Sequence, residues 1–187
     1  MGHDVDGHKN MHVDQGALPG EHPGKASDPI IKVRDIAWLE FRKPDLAKAE
    51  AFAVAFGFTV SLRTSEEIHL RGTHVGSPCV IIRRGRRTRF VGAAFAAAED
   101  ADVVRLADAT GQRVHRLPDT LGGIAVTLTD PGGQPVQIVS GYTEHPELPG
   151  QDAHTYNFGD PRNRINATQR PPSQPARVQR LGHVVLQ

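Results

Sequence analysis

The stretch Trp38-Leu39-Glu40-Phe41-Arg42-Lys43-Pro44-Asp45-Leu46 decides the fold. Together with Ile31, Val33 and Ile36 before it, its first half is rich in β-branched and aromatic residues and reads as a strand. Pro44-Asp45 then stops the strand, and Asp45 is placed to cap a helix. Leu46, Ala49, Phe52, Ala53 and Phe56 follow at helical spacing, and Gly57 stands where a left-handed helix stop is expected. Three short strand candidates come next, Phe58–Arg63, Ile68–Arg71 and Cys79–Arg83, separated by Gly72 and by Gly76-Ser77-Pro78.

The same order then returns. Arg89–Ala97 reads as a strand, and Asp100 can cap a second helix carrying Val103, Leu106 and Ala107, which Gly111 closes. Strands follow around Arg113–Arg116, Ile124–Leu128 and Val136–Val139, the last two joined by the turn Asp130-Pro131-Gly132-Gly133. About 54 residues separate Trp38 from its counterpart Gly92, the period of a duplicated βαβββ unit. The expected fold is α+β: two such units, 29–88 and 89–142, pair into one eight-stranded, strongly curved sheet with a helix on each outer face. Strand alternation places Trp38 and Glu40 on one face of it and Leu39 and Phe41 on the other. If Leu39 and Phe41 pack under the helices, Trp38 fills the concave side.

The flanks differ in composition. Residues 1–28 hold Gly, Asp, His and Pro with almost no large apolar side chains, so they read as a disordered leader, despite four histidines (His3, His8, His12, His22). Residues 143–177 carry Pro146, Pro149, Pro161, Pro171, Pro172 and Pro175 and few apolar residues, and read as a linker wrapping over the first module. The last residues, 178–187, contain Arg180-Leu181-Gly182-His183-Val184-Val185-Leu186-Gln187. They read as an orphan strand that opens a second module, which makes this chain the front half of a larger protein.

The bulk numbers exclude several classes. The chain of 187 residues has a formal charge of +1, so no global field attracts nucleic acid or an acidic membrane. Its single cysteine, Cys79, rules out an internal disulfide, and no apolar run approaches the roughly 20 residues that span a bilayer. A cytoplasmic protein is the expectation. His69 and His74 with Glu66 or Glu67 form only a weak metal candidate without a third ligand. Arg83, Arg84, Arg86, Arg87 and Arg89 read as a solvated basic turn, and Cys79 as a small buried side chain. No phosphate loop, dinucleotide fingerprint or paired-cysteine metal motif occurs.

The duplication, the Lys43-Pro44-Asp45-Leu46 helix start, Leu70-Arg71-Gly72 and the turn Thr129-Asp130-Pro131-Gly132-Gly133-Gln134-Pro135-Val136-Gln137 resemble the vicinal oxygen chelate superfamily. Asn166-Ala167-Thr168-Gln169-Arg170-Pro171-Pro172, followed by Leu181-Gly182-His183-Val184-Val185-Leu186, resembles its two-module extradiol ring-cleaving dioxygenases. The resemblance implies a second module holding Fe(II) with two histidines and a glutamate, where a catecholic substrate and O₂ bind. His183 matches the first histidine; the other two ligands would come from sequence beyond residue 187. In the first module the three ligand positions hold Trp38, Gly92 and Gln137, none a good iron ligand. The resemblance thus implies a metal-free, inactive N-terminal module, with no cofactor of its own and with homo-oligomer contacts among its roles. The rivals are a stand-alone dimeric small-molecule binding protein of the bleomycin-resistance kind and a fragment of a glyoxalase-type lyase or isomerase.

Overall fold

Asp45 does what the sequence asks of it: the backbone there is extended, and its side chain accepts a hydrogen bond from the Lys48 N–H at 2.9 Å. In the computed structural model, which describes residues 29–151 and 174–185, this cap divides strand β1 (Val33–Lys43) from helix α1 (Leu46–Phe56). Gly57 ends the helix at φ 110°, its N–H donating to the Ala53 and Val54 carbonyls. The chain continues through β2 (Thr59–Arg63), β3 (Glu67–Arg71) and β4 (Val80–Arg84). The second unit repeats the order as β5 (Arg89–Ala97), α2 (Asp100–Thr110), β6 (His115–Arg116), β7 (Ile124–Thr129) and β8 (Pro135–Ser140).

The eight strands form one curved sheet in the order β2-β3-β4-β1-β5-β8-β7-β6. Each unit pairs its first strand in parallel with its own last, β1 with β4 and β5 with β8, and the two units meet where β1 runs antiparallel to β5. The register Trp38↔Ala94, Leu39↔Ala93, Glu40↔Gly92 places the approximate two-fold axis beside Leu39 and Ala93.

Alternation then sorts the side chains. On the outer face Leu46 and Ala53 of α1 bury Ile68, Leu70 and Ile82, while Val103, Leu106 and Ala107 of α2 bury Ala97, Val126 and Ile138. On the inner face Trp38, Ile81, Ala94, Ala96, Ala125 and Val139 pack with Leu117 and Leu121 from the β6–β7 loop. Trp38 is 1% exposed, its ring edge-on to Tyr142 at 5.7 Å.

Three local differences from the sequence reading have physical causes. The cap of α2 is Glu99, not Asp100, and makes no side-chain bond; Asp100 and Asp102 sit in the first turn, where carboxylates favour the positive helix end. The strand expected over Arg113–Arg116 shrinks to two residues at the sheet edge. The segment 178–185 carries no strand and instead bonds to turns at the ends of the sheet and of α1, as 143–148 bonds to turns beside the sheet. The leader 1–28, the linker residues 152–173 and residues 186–187 lie outside the described residues.

The two caps predict different sensitivities. Asp45→Ala removes the bond to Lys48 and is expected to cost about 1 kcal/mol, whereas Glu99→Ala should change stability by only a few tenths. Urea midpoints of the two variants check this; equal losses would contradict the assignment.

Candidate functional site

The resemblance points to the inner face of the sheet as the place for a metal, and the residues there show how well one fits. Trp38 occupies the β1 position and is packed in the core. Gln137 lies in register with Ala94, beside Trp38, and offers only a half-buried neutral amide. Gly92 has no room for a ligand: a Cβ built there would stand 2.4 Å from the Pro135 carbonyl oxygen. The structure therefore brings Trp38 and Gln137 together around Ala94 and leaves Gly92 sterically closed. These three positions do not fit a metal ion.

What lies beside them is an ionic network. Arg83 donates from Nε to Glu40 Oε1 at 3.1 Å and from Nη1 to Glu67 Oε2, so one guanidinium bridges carboxylates of β1 and β3. Thr120, on the β6–β7 loop of the second unit, donates its hydroxyl to Glu67 Oε1 at 2.9 Å. His69 completes the group, with Nε2 3.4 Å from the same Oε1, fully buried and without a hydrogen bond among the described residues. Burial pulls His69 below its ordinary pKa; Glu67 opposes the shift, while Arg83 and His145 add to it. His69 is therefore neutral near pH 7, and the network carries one negative charge in excess.

The expected solvated turn needs correcting at its start. Arg83 points inward because it shares the parity of Ile81 on β4, a signal present in the alternation Ile81-Ile82-Arg83. Arg84 is also engaged, donating to the Ser65 carbonyl at 3.0 and 2.9 Å and lying 3.6 Å from Glu66. The weak metal candidate is split, with His69 and Glu67 inside and His74 and Glu66 exposed. No group of three His, Cys, Asp or Glu side chains able to hold a metal occurs among the described residues. His183 is exposed on the segment 174–185, and Cys79 is buried, its thiol pKa raised by that burial.

No protein-family model and no curated protein matches the sequence. Solved structures do match. A variant of homoprotocatechuate 2,3-dioxygenase from Brevibacterium fuscum is 25% identical, with a TM-score of 0.57 over 66% of this chain and 37% of that one. The Mn(II)-bound glyoxalase from Novosphingobium aromaticivorans is 20% identical, with a TM-score of 0.56 over 64% of this chain and 42% of that one. This chain has the vicinal oxygen chelate fold. It spans about two-fifths of the length of these structures. An extradiol ring-cleaving dioxygenase from the same Brevibacterium, at room temperature, gives the same picture at 25% identity and a TM-score of 0.56. Within that fold, the inner-face positions around Trp38 and Gly92 are filled by packing, and the Arg83 network lies beside them.

Two outcomes follow. Arg83→Ala leaves Glu40 and Glu67 facing each other with little solvent, and is expected to destabilise by about 2–3 kcal/mol. Replacing all three residues by apolar ones should cost less than that single change, as urea denaturation would reveal. His69 has a folded pKa below its ordinary 6.5, so it contributes nothing above that pH. As pH falls below 6.5 the unfolded chain gains a proton that the folded chain refuses, and stability drops. His69→Gln should flatten the fall below about pH 6.5; an unchanged slope would locate it in another group, such as His145, also lowered by burial.

Proposed function

We propose that this chain is the metal-free N-terminal module of a two-module, Fe(II)-dependent extradiol dioxygenase, which opens catecholic rings with O₂. The observation that supports this reading best is the inner face, where Trp38 is packed, Gly92 is blocked and Arg83 bridges two carboxylates. Support also comes from the dioxygenase structures, among them one solved in complex with HPCA. In this reading residues 29–142 form the module, 143–177 the linker, and 178–187 the opening of a second module. His183 then supplies the first imidazole to the metal, and the second histidine and the glutamate follow beyond residue 187. Bound by such a set, Fe(II) offers adjacent open positions for a catechol and O₂. The chain's own part is folding, an interface to the second module and contacts to further copies; alone it is inactive.

One observation favours a second reading, a stand-alone dimeric small-molecule binding protein. A groove of 730 Å³ runs beside α1, lined by Phe41, Phe52, Phe58, Leu70, Val80 and Ile82. Phe52 and Phe56 are exposed above it, their rings 6.1 Å apart.

The two readings part on the mass of the native polypeptide. An immunoblot against this module should show a band at roughly twice the 20.3 kDa of the chain. In that longer polypeptide His183→Ala should abolish iron retention and ring cleavage. A native band at 20.3 kDa would sink the dioxygenase reading.

A further inference from the structure

The connector does not merely pass over the module; it is gripped at the end of β3. Arg71 is 5% exposed, and its guanidinium gathers three carbonyls: Gly72 at 3.0 Å, His74 at 3.1 Å and Pro146 on the outgoing connector. Thr73 then serves both limbs of the connector, its carbonyl accepting from Leu148 at 2.7 Å and its N–H donating to Val178 at 2.9 Å. His74 N–H donates to the Gln179 carbonyl at 3.1 Å, and the Val178 N–H donates to the Gly57 carbonyl at 2.9 Å. Both glycines are cut to this fit. A Cβ at Gly72 would stand 2.0 Å from the Gln179 oxygen, and one at Gly57 would stand 2.6 Å from the Ala176 oxygen.

We propose that Gly57 and Arg71-Gly72-Thr73 form a receiver for extended backbone, which clamps residues 146–148 and 176–179 and fixes where the chain beyond Leu181 leaves the module. Val178 is half-buried and Gln179 is exposed, so main-chain groups make the grip on the sheet's turns, while Arg177, donating to the Pro149 carbonyl at 2.6 Å, and Gln151, donating to the Pro175 carbonyl at 2.9 Å, tie the two limbs to each other. Arg180 adds a surface pair with Asp35 at 3.3 Å. For the second module proposed to open at His183, the receiver sets the point of attachment; that consequence rests on the dioxygenase reading, whereas the clamp itself does not.

The chain contains its own reporter. Cys79, its one cysteine, is 6% exposed, and its thiol sits against the backbone of Gly72 and Leu181 under the clamped segment. In the 187-residue chain, Gly72→Ala should speed the reaction of Cys79 with 5,5′-dithiobis(2-nitrobenzoate) about tenfold or more, through local opening. The melting midpoint and the fluorescence of the single, buried Trp38 should hold. Gly150→Ala, where an added Cβ meets nothing within 4 Å, should react at the parent rate. If Gly72→Ala fails to fold, Val178→Pro decides, since it deletes the bond to Gly57 from a residue outside the sheet. Folded variants that both react at the parent rate would overturn the clamp and leave the dioxygenase reading standing. A native band at 20.3 kDa would do the reverse.

Discussion

The antiparallel pairing of β1 with β5 is the constraint on which the rest depends. Each βαβββ unit has a helix for its outer face but nothing for its inner one. Burying Trp38, Ile81, Ala94, Ala125 and Val139 requires both halves of the curved sheet at once. Because side chains alternate with period two, a slip of one residue between β1 and β5 would take Trp38 off the inner face and put Leu39 in its place. The pairing thus sets the register, the curvature and the contents of the inner face together.

That inner face has been given to packing and to charge pairing. A metal site needs three converging ligands and an open position, which means empty volume and polar groups held apart. Here the β6–β7 loop folds in, Leu117 and Leu121 join the core, and Thr120 reaches the Glu67 carboxylate on the other unit. The Arg83 bridge is dear to assemble and dearer to break, because either carboxylate left alone with so little solvent would be uncompensated. Such a network ties β1, β3 and β4 and the opposite unit's loop into one geometry.

Much of this was legible in the sequence, for local reasons. The caps at Asp45, Gly57 and Gly111, the period of about 54 residues and the Asp130–Gly133 turn are set by neighbours in the chain. Strand parity puts Trp38 and Glu40 on one face, and the packing of the helices on the other decides that this face is the inner one. Arg83 was misread because the basic run Arg83–Arg89 looks like one solvated turn, although its first member still belongs to the strand and follows strand parity. Gly72 looked like simple punctuation; its partner Gln179 is too distant in sequence for any local pattern to report. The blocked position at Gly92 is likewise set by Pro135 across the sheet. Local chemistry writes caps and turns into the sequence, while steric exclusion between remote segments leaves only a glycine whose reason is elsewhere.

The connector shows why that distinction bears on function. A segment rich in proline and poor in apolar residues cannot hold a position by burying side chains. It can do so by its main chain, if the surface that receives it offers unpaired donors and acceptors and has no Cβ in the way. Thr73 and His74, just past the end of β3, supply those groups, and Gly57 and Gly72 supply the clearance. The bonds to Gly57, Thr73 and His74 are main-chain bonds that any extended backbone of the right length could make, whereas the Arg180 pair with Asp35 belongs to this sequence. Connector side chains join the two limbs to each other: Arg177 donates to the Pro149 carbonyl at 2.6 Å and Gln151 to the Pro175 carbonyl at 2.9 Å. Main-chain groups at the end of β3 thereby hold a segment that is more than 70 residues away in sequence.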